Sequence, residues 1–230
     1  MISRDAVILA IDTATSIAGL ALYSEDRVLS EETWITRGNH TVELMPALGS
    51  MMERQKMRPE DLGGLVVSTG PGSFTGVRIG LAAAKGLALA LNLPLVGVPA
   101  LDAAAYAHAP LRLPTWAVVE AGRGRYCAAL YGIHRGEWQK TTPYQIVKLE
   151  SLVPDGNRKT LYCGELDRAA REKLRALFAD LAILPPSGAT LRRPAFLAEL
   201  GWKRLIAGER DDTAALSPIY VQHPVSEKEP

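Results

Sequence analysis

Residues Gly63 to Val98, GGLVVSTGPGSFTGVRIGLAAAKGLALALNLPLVGV, read as strand, glycine loop, long helix, tight turn and strand. Leu65-Val66-Val67 is a short apolar run bounded by glycines, the signature of a buried strand. Gly70, Gly72 and Gly76 let the backbone turn sharply and lie close to a neighbour. Ser73 and Thr75 are candidate N-caps for the following helix, since a hydroxyl there accepts from an orphaned amide. Loop amides beside a helix N-terminus form an anion site, usually for a phosphate.

The loop departs from the named motifs of this kind. Val77 and Arg78 follow Gly76 where a Walker A loop needs Lys and then Ser or Thr. A dinucleotide fingerprint places an acidic residue about twenty positions on, but Leu95-Val96-Gly97-Val98 runs into Pro99. Ser73 is not framed as a nucleophile elbow. The plainer alternative is a strand-to-helix turn whose glycines serve only packing. The helix itself is unusual. From Ile79 to Leu91 only Lys85 is charged, so the helix is buried between layers or completed by another chain.

Upstream, Val7-Ile8-Leu9-Ala10-Ile11 reads as a buried strand ending at Asp12, and apolar residues resume from Ile17 to Leu22. Val28 to Trp34 alternates loosely, so the chain opens as an antiparallel meander. Its first turn carries Asp12 with the hydroxyls of Thr13, Thr15 and Ser16. Such a set holds a hydrated metal or orients a phosphate; it equally satisfies local amides. From Asn39 to Met57, Val42, Met45, Leu48 and Met52 recur at helical spacing with Leu44 and Met51 beside them. Asn39 and Thr41 are candidate caps, and Pro46 is tolerated near the first turn.

Leu101 to Ala107 reads as a short helix, and Pro110 and Pro114 mark a boundary between half-domains at 1–110 and 111–230. Beyond it the opening pattern recurs. Aligning Asp12 with Glu120 pairs Ile11 with Val119, Ala21 with Ala129, Leu22 with Leu130 and Tyr23 with Tyr131, which points to a duplication. Further strands fall within 138–147, 161–164 and 181–184. Helices run from Asp167 to Phe178 and from about Pro194 to Ala207, and the polar end of the chain is expected to be disordered.

A chain of 230 residues that is 47% hydrophobic can bury one sizeable core or two small ones. With 26 basic and 25 acidic residues, net +1, it lacks the basic excess of a nucleic-acid binder acting alone. Cys127 and Cys163 form neither a disulfide framework nor a metal motif. The amino terminus has no signal-peptide pattern, and Ile79 to Leu91 is too short for a membrane span. A soluble cytoplasmic protein is expected. His40, His108, His134 and His223 lack ligand spacing, and His40 reads as a cap or surface residue.

Four strings carry a family resemblance: GPGSFTGVRIG at Gly70 to Gly80, ILAIDTATSIAGLAL at Ile8 to Leu22, His40 to Pro46, and Pro218-Ile219-Tyr220-Val221. Together they resemble the TsaB (YeaZ) family of tRNA threonylcarbamoyladenosine biosynthesis proteins, densely in the N-terminal half and thinly beyond. The resemblance implies an α/β actin-like ATPase (ASKHA) fold, two related half-domains each with a mixed sheet flanked by helices, the second smaller and degenerate. It also implies a non-catalytic subunit beside a TsaD-like enzyme, which transfers threonylcarbamoyl to the tRNA adenosine next to the anticodon. TsaD carries H-L-E-G-H after its equivalent of Leu95 to Val98; here Ala100-Leu101-Asp102-Ala103-Ala104 stands there. Alanine methyls cannot ligate a metal, so no metal is expected.

The remaining expectations follow the same reading. No catalytic residue is assigned. Asp12, Thr13, Gly70, Gly72, Ser73 and Gly76 are candidate nucleotide or phosphate contacts, with no cofactor required and weak ATP or ADP binding the most that is retained. Leu44, Met45, Leu48, Met52, Val77 and Leu81 are the candidate partner interface. The partners implied are a TsaD-like subunit, a TsaE-like ATPase, a second copy when the chain is alone, and tRNA only through the complex. The competing class is an ATP-hydrolysing protein of the actin-like fold. A peptidase ranks far below, because Ser73 has no identifiable base and orienting acid.

Overall fold

The computed structural model describes residues 2–25 and 27–221. The polar end of the chain and His223 lie outside the described residues. The opening meander forms as β1 (Val7–Asp12), β2 (Ile17–Ser24) and β3 (Arg27–Ile35), followed by α1 (His40–Arg54). The quoted stretch becomes β4 (Leu62–Ser68), α2 (Phe74–Leu91) and β5 (Leu95–Val98), leading into α3 (Ala100–Tyr106). These strands make one sheet in the order β3-β2-β1-β4-β5, with β1, β4 and β5 parallel.

The near-continuous apolar strands are explained by helices on both faces of this sheet. Alternate residues Leu9, Ile11, Leu65, Val67 and Leu95 face α1 and α2. Ile8, Ala10, Val66, Val96 and Val98 face the last helix, α6 (Pro194–Ile206), through Leu197, Ala198, Trp202 and Leu205. Burial of each such large side chain contributes about 1.5–3 kcal/mol. Gly201 of α6 lies so close to Val66 that an added Cβ would sit 2.3 Å from it.

The chain therefore divides differently from the boundary expected at Pro110. One unit comprises Met1–Ala103 with Arg192–Ile219, and Ala104–Leu191 belongs to a second. The physical reason is the second face of the first sheet, which needs an apolar cover that the N-terminal stretch does not itself supply.

The second unit contains β6 (Thr115–Glu120), β7 (Tyr126–His134), β8 (Glu137–Lys140), β9 (Gln145–Val147), β10 (Thr160–Gly164), α4 (Arg168–Phe178), β11 (Ala182–Ile183) and α5 (Ser187–Thr190). Its sheet runs β11-β10-β6-β7-β8, with β9 also on β7. The duplication is real in topology: β6 pairs antiparallel with β7 and parallel with β10, as β1 does with β2 and β4. The second turn is tighter. Ile11 faces Leu20, whereas Val119 faces Cys127 rather than the equivalent Ala128.

Helix α2 is longer than the uncharged run suggests. Its 18 residues, mean hydropathy 1.4, would reach across a bilayer by length and composition alone. Here Val77, Leu81, Ala84 and Ala88 pack in the core of the first unit. Asn92, in the left-handed region at φ 52°, ends it.

Candidate functional site

The Asp12 turn and the glycine loop meet at the C-terminal ends of β1 and β4. Thr13 Oγ1 donates to the Gly76 carbonyl at 2.7 Å, and Ser73 N–H donates to the Ala14 carbonyl at 2.6 Å. A Cβ on Gly72 would lie 2.0 Å from Ala14 O, and one on Gly76 would lie 2.3 Å from Thr13 O. These glycines thus press the loop backbone onto the turn backbone. Ser73 caps α2, its Oγ accepting from Gly76 N–H at 3.2 Å. Gly70 stands at the far end of the loop with φ 80°, its carbonyl accepting from Ala100 N–H. Of the six candidate phosphate contacts, Thr13, Ser73 and Gly76 are joined by hydrogen bonds, and Gly72 rests on Ala14 of the same turn.

Asp12 has a partner that its local sequence does not announce. Its Oδ1 accepts from Ala14 N–H at 3.0 Å, and its Oδ2 accepts from Arg192 Nε at 2.5 Å. The Arg192 Nη2 donates onward to Thr15 Oγ1 and the Ile17 carbonyl, each at 3.0 Å. The side chains are 3% and 1% exposed. Removing one partner of such a buried pair costs about 3–5 kcal/mol, because the other charge is left uncompensated. Ser68 Oγ, at the neighbouring strand end, is buried with no hydrogen-bond partner.

His40 corrects an expectation. It is buried, not on the surface, and its Nε2 donates to the Thr15 carbonyl at 2.8 Å, so α1 is tied to the same turn. Asn39 occupies the N-cap position without a side-chain cap bond. Hydrogen bonds from Thr36 and from Trp34 Nε1 hold the Glu43 carboxyl, in the first turn of α1, below its usual range.

The outward face of α1 and α2 is a separate feature. Of the six residues expected at a partner surface, Leu44, Leu48, Met52, Val77 and Leu81 are buried in this chain's own core; only Met45 is exposed. The apolar residues that do face out are Val42 (67% exposed), Met45 (48%), Phe74 (59%) and Leu89 (74%). Arg78 lies over the Phe74 ring at 3.6 Å. Gly49 on α1 and Gly86 on α2 are exposed, and an added Cβ there would meet nothing within 4 Å.

Where TsaD carries its metal motif, Ala100, Ala103 and Ala104 of this chain are buried methyls. Among the described residues no three His, Cys, Asp or Glu side chains come together as a ligand set. Burial pushes the Cys163 thiol pKa well up and lowers that of His108.

A family model described as TsaD, tRNA N6-adenosine threonylcarbamoyltransferase, matches residues 32–190. The tRNA threonylcarbamoyladenosine biosynthesis protein TsaB of Bacillus subtilis (strain 168) is 32% identical over 218 residues, 94% of this chain and 93% of that protein. The chain belongs to the TsaB family. The TsaB of Escherichia coli (strain K12) is 40% identical over 94 residues, 41% of this chain and 40% of that protein. In structure, YeaZ from Pseudomonas aeruginosa superposes with a TM-score of 0.78 over 94% of this chain and all of that one, at 23% identity. The fold of this TsaB-family chain is thus the actin-like α/β architecture, and its family is one of tRNA threonylcarbamoyladenosine biosynthesis.

Proposed function

We propose that this chain is a non-catalytic subunit that docks a TsaD-type catalytic partner through the outward faces of α1 and α2, in the cytoplasm where tRNA is modified. The observation that carries the proposal is the set of exposed apolar side chains Val42, Met45, Phe74 and Leu89 on α1 and α2, with exposed glycines at Gly49 and Gly86. Solvent-facing sides of helices are normally polar, and small residues admit close helix approach. The TsaD family model extends across both helices, so a TsaD-type chain has counterparts of each. Two chains of one fold can then pair equivalent faces about a pseudo-twofold axis, as identical chains do about a true one. The same face would join two copies of this chain when the partner is absent, so the two associations exclude each other.

A catalytic role has little support in the chemistry present. Ser73 Oγ is spent on a helix cap, and the metal-motif position holds methyl groups. The test is reconstitution of threonylcarbamoyl transfer to tRNA from purified components. The expectation is no transfer by this chain alone, and transfer by the TsaD-type partner that rises on its addition. Transfer by this chain alone would refute the non-catalytic assignment, and full transfer without it would refute the subunit role.

A further inference from the structure

The actin-like fold brings with it the expectation of a metal-bound nucleotide at a carboxylate-bearing turn, and the residues of this turn do not fit one. Magnesium keeps several waters and reaches a protein through one or two carboxylates plus the phosphates of its substrate. Both oxygens of Asp12 are already engaged, Oδ1 by Ala14 N–H and Oδ2 by Arg192 Nε, and the carboxylate is 3% exposed. Part of the phosphate side is already taken up within the chain. The loop amide of Ser73 is spent on Ala14 O and that of Gly76 on Ser73 Oγ, while Gly72 and Gly76 rest against the turn backbone. The orphan hydroxyl of Ser68 is sealed from solvent, so it offers no seat to a phosphate.

We propose that Arg192 is the resident cation of the Asp12 turn, a guanidinium fixed in the chain where a nucleotide-bound metal would otherwise have to supply the positive charge. Three observations converge on it. The guanidinium is 1% exposed, and a buried arginine is retained only when its donors are met. Its Nε and Nη2 donors are met within the turn, through Asp12, Thr15 Oγ1 and Ile17 O, so Arg192 holds both ends of that turn. It is also the first residue of the returning segment Arg192–Ile219, two positions before α6 begins. The pair therefore fastens the start of the α6 segment to the first hairpin. The turn carries a covalently supplied cation in place of a dissociable one, and its one carboxylate, Asp12, is already engaged. None of the residues on the outward α1–α2 face enters this.

The test combines a double-mutant cycle with a ligand measurement. Asp12→Asn and Arg192→Met are each expected to lower the urea midpoint, because each strands one buried polar group. The double variant is expected to recover at least half of the larger single loss, since neither charge then remains. If Arg192→Met alone does not fold, the double variant decides: a folded double variant supports the pair, and an unfolded one overturns it. Losses that simply add in the double variant also overturn it. In equilibrium dialysis of the wild-type chain, magnesium should change ATP retention by less than about twofold. Saturable magnesium-dependent ATP binding that Asp12→Asn abolishes would show the carboxylate free for a metal and end the proposal.

Discussion

Leu48 and Met45 lie three residues apart on α1, yet aspartate at the two positions should fail in opposite ways. Leu48 is 5% exposed and sits among Leu44, Met51 and Met52 in the core of the first unit. Truncating such a leucine costs about 2–5 kcal/mol. An ionised carboxylate left there without a partner adds several kcal/mol more. The sum is comparable to the whole stability of a typical domain, about 5–15 kcal/mol. Leu48→Asp should therefore unfold the chain, or leave it unfolding early in urea. Met45 is 48% exposed. Its replacement forfeits only part of a side chain's apolar burial and a few tenths of helix propensity, about 1 kcal/mol in total. Urea titration of each variant at low concentration, followed by far-ultraviolet circular dichroism, reads both outcomes without a contribution from association. A wild-type midpoint for Leu48→Asp would refute the inward orientation of α1.

Two further outcomes follow from single positions. Gly49→Ala should raise the stability of the lone chain by about 0.5–1 kcal/mol, since glycine is costly within a helix and nothing stands within 4 Å of the new methyl; affinity for the TsaD-type partner should fall in a binding titration. Asp211 accepts from Gly97 N–H at 2.7 Å and from Arg204 Nη2 at 2.8 Å. Partial burial would raise its pKa, but the Arg204 and Gly97 hydrogen bonds outweigh burial and hold it below the usual value. A carboxyl depressed on folding stabilises above its unfolded pKa and loses that contribution as pH falls through the folded one. Hydrogen exchange at Gly97, corrected for its intrinsic rate, should lose protection as acid titrates Asp211, and Asp211→Asn should remove that pH dependence.

The first sheet was legible because β1, β2, β4 and β5 are buried on both faces and so carry largely apolar runs, with turn residues between them. The duplication showed for the same reason: strand, acidic residue and strand recur with little change in spacing. Which sheet α6 covers was not legible, since an apolar helix face does not record its partner. Nor could α1 be oriented from its sequence. Leu44, Met45, Leu48 and Met51 are spread over more than one face, and only the position of the sheet shows that Met45 points away from it. The glycines of the loop were visible but their purpose was not, because both phosphate cradling and backbone contact need a missing side chain. Arg192 was invisible for another reason. It meets Asp12 across 180 residues of chain, and neither the Arg-Arg-Pro around it nor the turn around Asp12 encodes the pairing.

The most direct measurement of the docking claim is the dissociation constant between this chain and the TsaD-type protein of the same cell, for wild type and for Met45→Asp. Sedimentation velocity over a concentration series provides it, with circular dichroism confirming that the variant is folded. Burying a carboxylate in an apolar helix interface costs several kcal/mol, and each 1.4 kcal/mol is about a tenfold change in affinity. The account predicts that Met45→Asp weakens the heterodimer by about a hundredfold or more and that self-association weakens with it. A folded Met45→Asp chain that binds the partner with unchanged affinity would place the docking surface elsewhere and contradict the central claim.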